Sequence, residues 1–276
     1  MSAEAGTPGL APYQVRARNG AAASENKIHD NEVARQYGFA GGLVPGVTIY
    51  AYMTRPALER FGPDWLSRGT ISARFVKPFY EGELVTVRTR DAGAGRIELE
   101  AVNEAGEVCA TGAASLPETP GEAPALLREE SLPPRKARPP ASEAAFRRTP
   151  ALGTLRFAFD TGAPAAVFLD EIADTHPLYR GPGAPAHPGY LIRYANTVLV
   201  ENVELGPWIH VSSDSRHFGT IGHGESFSVR AAVTGLFERK GHRFVTLDVQ
   251  VVAGATRVVL STVHTAIYDI RKVAAS

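Results

Sequence analysis

"RFVKPFYEGELVTVR", residues 74–88, has a counterpart further along the same chain in "RHFGTIGHGESFSVR", residues 216–230. Arg74, Gly82, Glu83, Val87 and Arg88 stand 142 residues before Arg216, Gly224, Glu225, Val229 and Arg230. Upstream, "VPGVTIYAYM" matches "HPGYLIRYAN" with Gly46 and Gly189 set 143 apart, and "FGPDW" matches "LGPW" with Trp65 and Trp208 at the same 143. A near-constant offset over three separate blocks identifies two copies of one fold.

Each copy carries its elements in the same order. After a Pro-Gly turn come "VTIYAYMTRPALERF" and "YLIRYANTVLVENVE", apolar around most of their circumference and long enough to be helices rather than strands. A helix of that kind must be covered on most sides. Segments alternating apolar and polar residues follow: "LVTVRTR", "RIELEAV" and "EVCATGAASL" in the first copy, "SFSVRAAV", "RFVTLDVQVV" and "RVVLSTVHTAIYDI" in the second. Period-two alternation marks half-buried antiparallel strands, here joined by turns such as "DAGAGR" and "ERKGHR". The pattern predicts an α+β chain: two hot-dog domains, each an antiparallel sheet wrapped around a long central helix, paired edge to edge as a pseudo-dimer. Residues 116–150 hold eight of the twenty prolines and read as a linker, because proline opposes helix interiors and central strands. The expected domains are 1–115 and 151–276, and the linker's "RKAR" and "FRR" clusters are expected to be solvated.

Composition excludes several classes of function. The formal net charge is zero, from 29 basic and 29 acidic residues, so no charge excess points to nucleic acid or an anionic membrane. Cys109 is the single cysteine, which rules out an intrachain disulfide and a multi-cysteine metal site, and it is expected as a small buried residue on a strand. The glycine-rich stretches "GPGAP" and "GTIGHGES" join no strand to a helix in a phosphate-loop pattern, and His210, His217, His223, His242 and His264 follow no metal-ligand spacing. Neither cofactor nor metal is expected. The first residues have no basic and apolar leader and no apolar run approaches the length of a membrane span, so a cytoplasmic location is expected.

"NKIHDNEVARQYGF", "GLVPG" and "SARFVKPFYEGE" together resemble the MaoC-like branch of hot-dog proteins. Its (R)-specific enoyl-CoA hydratases and 3-hydroxyacyl dehydratases carry the pattern D-x-N-P-x-H, then G-F, then a Gly-headed central helix, then R-F-x-x-P-x-x-x-G-D/E. The resemblance covers the first copy well and the second more loosely. It implies an acyl thioester partner carried by coenzyme A or an acyl carrier protein, a lyase activity, and a site in which a histidine and an aspartate handle water while a helix-head N–H binds the thioester oxygen. Carried over by position, it places His29 on the histidine, Asn26 on the asparagine, Gly46 on the helix head and Thr54 on a hydroxyl position two turns into that helix. Ser24 stands where the aspartate should be, Lys27 replaces the proline, and Pro45 replaces the histidine before the helix-heading glycine. A serine hydroxyl binds water but does not take its proton at neutral pH.

The second copy departs in the opposite sense. In "ADTHPLY" Asp174 and Pro177 match the motif, while Tyr179 stands where the histidine belongs. Neither copy holds the full dyad. Three readings stay open on these residues: a hydratase or dehydratase using His29 and Ser24, with Asn26, Gly46 and Thr54 binding substrate; an acyl-thioester-binding protein that has lost the chemistry; or a thioesterase or cyclase on a related ligand. Further pairing of pseudo-dimers is also left open.

Overall fold

The computed structural model describes residues 10–271. Its helices are α1 (Asn31–Gln36), α2 (Gly46–Phe61), α3 (Trp65–Arg68), α4 (Glu143–Arg148), α5 (Ala163–Glu171) and α6 (Pro188–Asn202). The strands are β1 (Tyr13–Arg16), β2 (Thr70–Phe75), β3 (Leu84–Asp91), β4 (Arg96–Val102), β5 (Val108–Ser115), β6 (Ala151–Ala158), β7 (Ile209–His217), β8 (Ser226–Arg239), β9 (His242–Ala253) and β10 (Arg257–Asp269). All ten form one antiparallel sheet in the order β1-β3-β4-β5-β2-β7-β10-β9-β8-β6. The first five neighbours come from the first copy and the last five from the second. The join is β2 against β7, Thr70 opposite Arg216 through Arg74 opposite Ser212.

The two predicted central helices are α2 and α6. Helix α2 buries Ile49, Tyr50, Tyr52, Met53 and Leu58 on successive faces, which only a surrounding sheet can cover. It packs on β1 to β5 of its own half and on β7 of the other. Its last turn closes on Gly62, whose φ of +73° suits a glycine C-cap, with the N–H donating to Leu58 O. Helix α6 packs on β6, β8 and β10, and the two helices pack on each other. A Cβ at Gly189 would lie 2.6 Å from that of Ala51, so the head of α6 presses on the middle of α2. That crossing decides which residues meet at each helix head.

Residues 116–150 hold no strand, but they are tied down along the second half. Gln250 clamps the backbone at Ala125 and Leu127, Glu130 and Thr154 exchange hydrogen bonds, and Glu204 exchanges backbone bonds with Pro139 and Ala141. Phe146 on α4 is buried edge-on against Tyr268. Cys109 is fully buried on β5. No described helix is long and apolar enough to cross a membrane.

Candidate functional site

His29 ends a single 3-10 turn, Lys27–His29, whose N-cap is the Asn26 side chain accepting from Ile28 N. The Asn26 amide does more than cap. Its Oδ1 accepts from Trp208 N at 3.1 Å and its Nδ2 donates to Trp208 O at 3.0 Å, a two-point clamp between the halves. His29 Nδ1 lies 2.7 Å from Leu43 O, so that nitrogen carries the proton. Nε2 is then an acceptor, 3.2 Å from Asn26 Nδ2. Burial holds the imidazole below its ordinary pKa, opposed by the Leu43 hydrogen bond, so the ring is neutral at pH 7. Among the described residues no carboxylate oxygen comes within 4.0 Å of either ring nitrogen.

Two cavities meet at this ring. One, of about 650 Å³, is lined by His29, Asn26, Ser24, Pro45, Asn196 and Thr197 among others. The second, of about 380 Å³, is lined mainly by apolar groups such as Phe39, Leu43, Ile49, Phe75 and Phe79, and it also reaches His29, Gly46 and Asn196. Between them lies the head of α2. Pro45 is its N-cap and supplies no side-chain hydrogen bond, which leaves the Gly46 and Val47 N–H groups without partners at the positive end of the helix dipole. Residue 46 has to be glycine: a Cβ there would sit 2.8 Å from His210 Nδ1 and 3.0 Å from the Phe75 ring.

Of the residues singled out in the sequence, Ser24, Asn26, His29 and Gly46 line these cavities. Thr54 lines neither. Its hydroxyl donates to Ala51 O at 2.7 Å and lies 3.4 Å from His187 Nε2, at the other helix head. The 143-residue offset that pairs Gly46 with Gly189 pairs Thr54 with Thr197, and it is Thr197 that lines the cavity beside His29. Asn196, one residue earlier on α6, has a buried Oδ1 with no partner and borders both cavities. The "RKAR" cluster is solvated as expected at Arg135 and Lys136, which are exposed, and its turn also sets Arg135, Lys136 and Arg138 on the wall of the larger cavity.

No family model matches the sequence, and no curated protein does. Solved structures do match in shape. A conserved hypothetical protein from Mycobacterium tuberculosis, described as having a double hot-dog fold, aligns with a TM-score of 0.56 at 18% identity, covering 92% of this chain and 93% of that one. The fold is a double hot-dog. A protein from Chloroflexus aurantiacus described as a MaoC domain dehydratase gives 0.61 at 12% identity over 94% and 93% of the two chains. A Lactobacillus plantarum protein designated an oleoyl thioesterase gives 0.53 at 9% identity over 95% and 96%.

The two helix heads of this double hot-dog have diverged. At the head of α6, Tyr179 packs on the His187 ring with centroids 4.4 Å apart, and Tyr179, His187 and Asp174 are all buried. His187 Nδ1 accepts from Gly189 N, so Nε2 carries the proton toward Asp174 Oδ2 at 3.4 Å. Burial pushes the Asp174 pKa up, but hydrogen bonds from His187 and His176 N and the charge of Arg55 at 3.2 Å outweigh it and hold it at about 2. Burial also keeps His187 below its ordinary pKa, so it supplies a hydrogen bond rather than a charge and Arg55 is the cation of the pair. The aspartate of the motif thus serves the closed head, and the histidine serves the open one. Each head is completed by the middle of the opposite helix: Thr54 for one, Asn196 and Thr197 for the other.

Proposed function

We propose that the chain is a hydratase or dehydratase of acyl thioesters, working at the head of α2 with His29 as its proton-transferring group. The observation that carries this is a neutral imidazole, oriented by Leu43 O and lining both cavities beside unpartnered helix-head N–H groups, whose Nε2 accepts from Asn26 Nδ2 and exchanges that bond for the substrate's proton. A base that is free at pH 7 removes or returns a proton next to the thioester, while Gly46 N–H binds the oxygen where enolate charge develops. Ser24 and Asn196 are suited to hold the water. The exposed cations Arg74, Arg239 and Lys240 line the narrower cavity, with Lys77 beside them paired to Glu107 at 2.6 Å, which suits the anionic end of coenzyme A or of a phosphopantetheine arm.

Steady-state hydration of trans-2-enoyl-CoA thioesters tests this reading. Because His29 must be unprotonated to act as the base, kcat/KM is expected to rise along an acid limb with an apparent pKa below 6.5, in the direction its burial dictates. Reversing these charges with a paired Arg74→Glu and Arg239→Glu variant is expected to raise KM at least tenfold, an effect that fades as salt screens it, with kcat little changed. An unaltered KM at low salt would remove the anionic end from that cavity.

A second reading is favoured by the lack, among the described residues, of a carboxylate oxygen within 4.0 Å of the His29 ring nitrogens: a protein that binds the thioester without turning it over. Ser24→Asp separates the two. Ser24 Oγ lies 3.3 Å from Asn26 O on the wall of the larger cavity, so a carboxylate there stands at the motif's aspartate position. The lyase reading expects measurable wild-type turnover and a gain within the ~10²–10⁴-fold worth of a positioned base. The new anion also raises the His29 pKa and moves the acid limb upward. Tight binding with no turnover in the wild type, and turnover gained in Ser24→Asp, would establish the binding protein instead.

A further inference from the structure

Beside Gly46 a chain of three buried side chains from β7 and β10 has an unpartnered nitrogen at each end, His264 Nε2 deep in the sheet and His210 Nδ1 next to the helix head. His264 Nδ1 lies 3.0 Å from Ser213 Oγ, and Ser213 Oγ lies 2.8 Å from His210 Nε2. The two imidazoles stack at 4.1 Å, and Phe75 packs edge-on against His210 at 4.8 Å. His210 is 5% exposed, Ser213 2% and His264 0%. What remains of His210 is Nδ1, which has no hydrogen-bond partner, belongs to a ring lining the narrower cavity, and would touch any side chain larger than hydrogen at residue 46. Buried polar atoms in folded proteins are nearly always satisfied, so an unpartnered nitrogen on a ring that lines a cavity marks that ring for a ligand contact.

We infer that His210 is a second donor to the thioester oxygen, its Nδ1–H completing with Gly46 N–H the pocket in which that oxygen sits, and that Ser213 and His264 are positioning residues which fix its tautomer. The inference rests on the reading of the α2 head as a thioester site. A carbonyl oxygen only accepts, so it selects the arrangement in which His210 Nδ1 is protonated. His210 Nε2 is then an acceptor and takes the Ser213 hydroxyl proton, and Ser213 Oγ accepts from His264 Nδ1–H. All three hydrogens point the same way, toward the ligand. Burial, with His264 close by, pushes His210 well below the ordinary histidine pKa, and burial holds His264 at about 3, so both rings stay neutral and donate as imidazoles rather than as imidazolium ions. A neutral donor leaves the proton on the protein while it polarises the carbonyl. That is the role needed of an oxygen-binding group when the proton itself is handled by His29.

The test uses the full chain, trans-2-hexenoyl-CoA for turnover, and hexanoyl-CoA labelled with ¹³C at the carbonyl for infrared spectra of the bound ligand. In His210→Asn the amide N–H takes the place of Nδ1, whereas in His210→Gln it takes the place of Nε2. The expected result is that His210→Gln loses kcat by ~10²–10³-fold with KM nearly unchanged, as for removal of one oxyanion donor, while His210→Asn retains kcat to within about tenfold. The bound carbonyl stretch lies at lower wavenumber than in water for wild type and His210→Asn, and returns toward the free value in His210→Gln. Ser213→Ala is expected to lower kcat about tenfold and to weaken the same spectral shift, since the tautomer is no longer fixed. Wild-type kcat and carbonyl frequency in His210→Gln would overturn this inference and leave the lyase reading standing. Equal losses in the Asn and Gln variants, accompanied by a fall in Tm, would reduce His210 to a packing residue. A wild type that neither binds nor hydrates the thioesters would overturn the lyase reading and this inference with it.

Discussion

Replacing His29 by alanine is expected to lower kcat/KM for a trans-2-enoyl thioester by ~10²–10⁴-fold, the range a positioned acid or base supplies. The same change also deletes hydrogen bonds to Leu43 O and Asn26, so a stability loss of roughly 1–3 kcal/mol accompanies it. His29→Asn disentangles the two effects. An asparagine amide can reach Leu43 O from the place of Nδ1 but offers no titratable nitrogen to the cavity. Stability should therefore recover much of the loss while turnover does not. Wild-type turnover in His29→Ala would end the case for this histidine as the base.

Acid is expected to start destabilising the protein near pH 6.5, well above the pH at which carboxylates protonate. His217 is buried against Trp65, with Nδ1 3.0 Å from Trp65 O and Nε2 unpartnered, and burial lowers its pKa to about 4. Burial takes His264 to about 3. Both pKa values are lower in the folded state than the ordinary 6.5, so below pH 6.5 the unfolded chain binds protons that the folded chain refuses. Stability then falls as pH falls, by ~1.4 kcal/mol per pH unit for each such ring, from 6.5 down to about 4 for His217 and about 3 for His264. The pair alone removes on the order of 7 kcal/mol by pH 4, comparable to the whole stability of a typical domain. Asp174, held at about 2, adds a further loss only below the ordinary carboxylate pKa near 3.8. Urea titrations between pH 8 and pH 4.5 check this: the midpoint should be flat above pH 7 and drop steeply below 6.5. A midpoint that stays level to pH 4.5 would mean these rings are not buried as neutral groups in solution.

Much of the fold could be read from the chain because the duplication is written in turns and glycines. The Pro-Gly pairs at 45–46 and 188–189 open both central helices, and the alternating segments became β3, β4, β5, β8, β9 and β10. The strands without such a signal are instructive. β7, "IHVSSDSRH", buries serine and histidine at Ser213, Ser215, His210 and His217, so its inward face looks polar in sequence. β1 is only four residues, and β6 carries a register shift against β8 that interrupts its alternation. The candidate site was legible where it is local: Ser24, Asn26, His29 and Gly46, which line its cavities, lie within one stretch. Asn196, Trp208 and His210 come from the other copy, 150 or more residues away, and only the crossing of α2 and α6 and the Asn26 clamp bring them in. Thr54 was assigned by its distance along α2, but eight residues advance ~12 Å along a helix axis, enough to carry it to the opposite head.

The pairing of β2 with β7 has a consequence for how the two heads can change. Were the same seam formed between two identical subunits, it would loosen on dilution, and every substitution would be installed at both heads at once. A tyrosine that plugged one would plug the other. Held in one chain, the partners meet at a fixed effective concentration set by the tether, so assembly does not depend on how much protein is present. Each head is then free to vary alone. Tyr179 can fill one side and lend it rigidity while His29 keeps its opposite number open, a division of labour that a symmetric pair cannot reach by any single mutation.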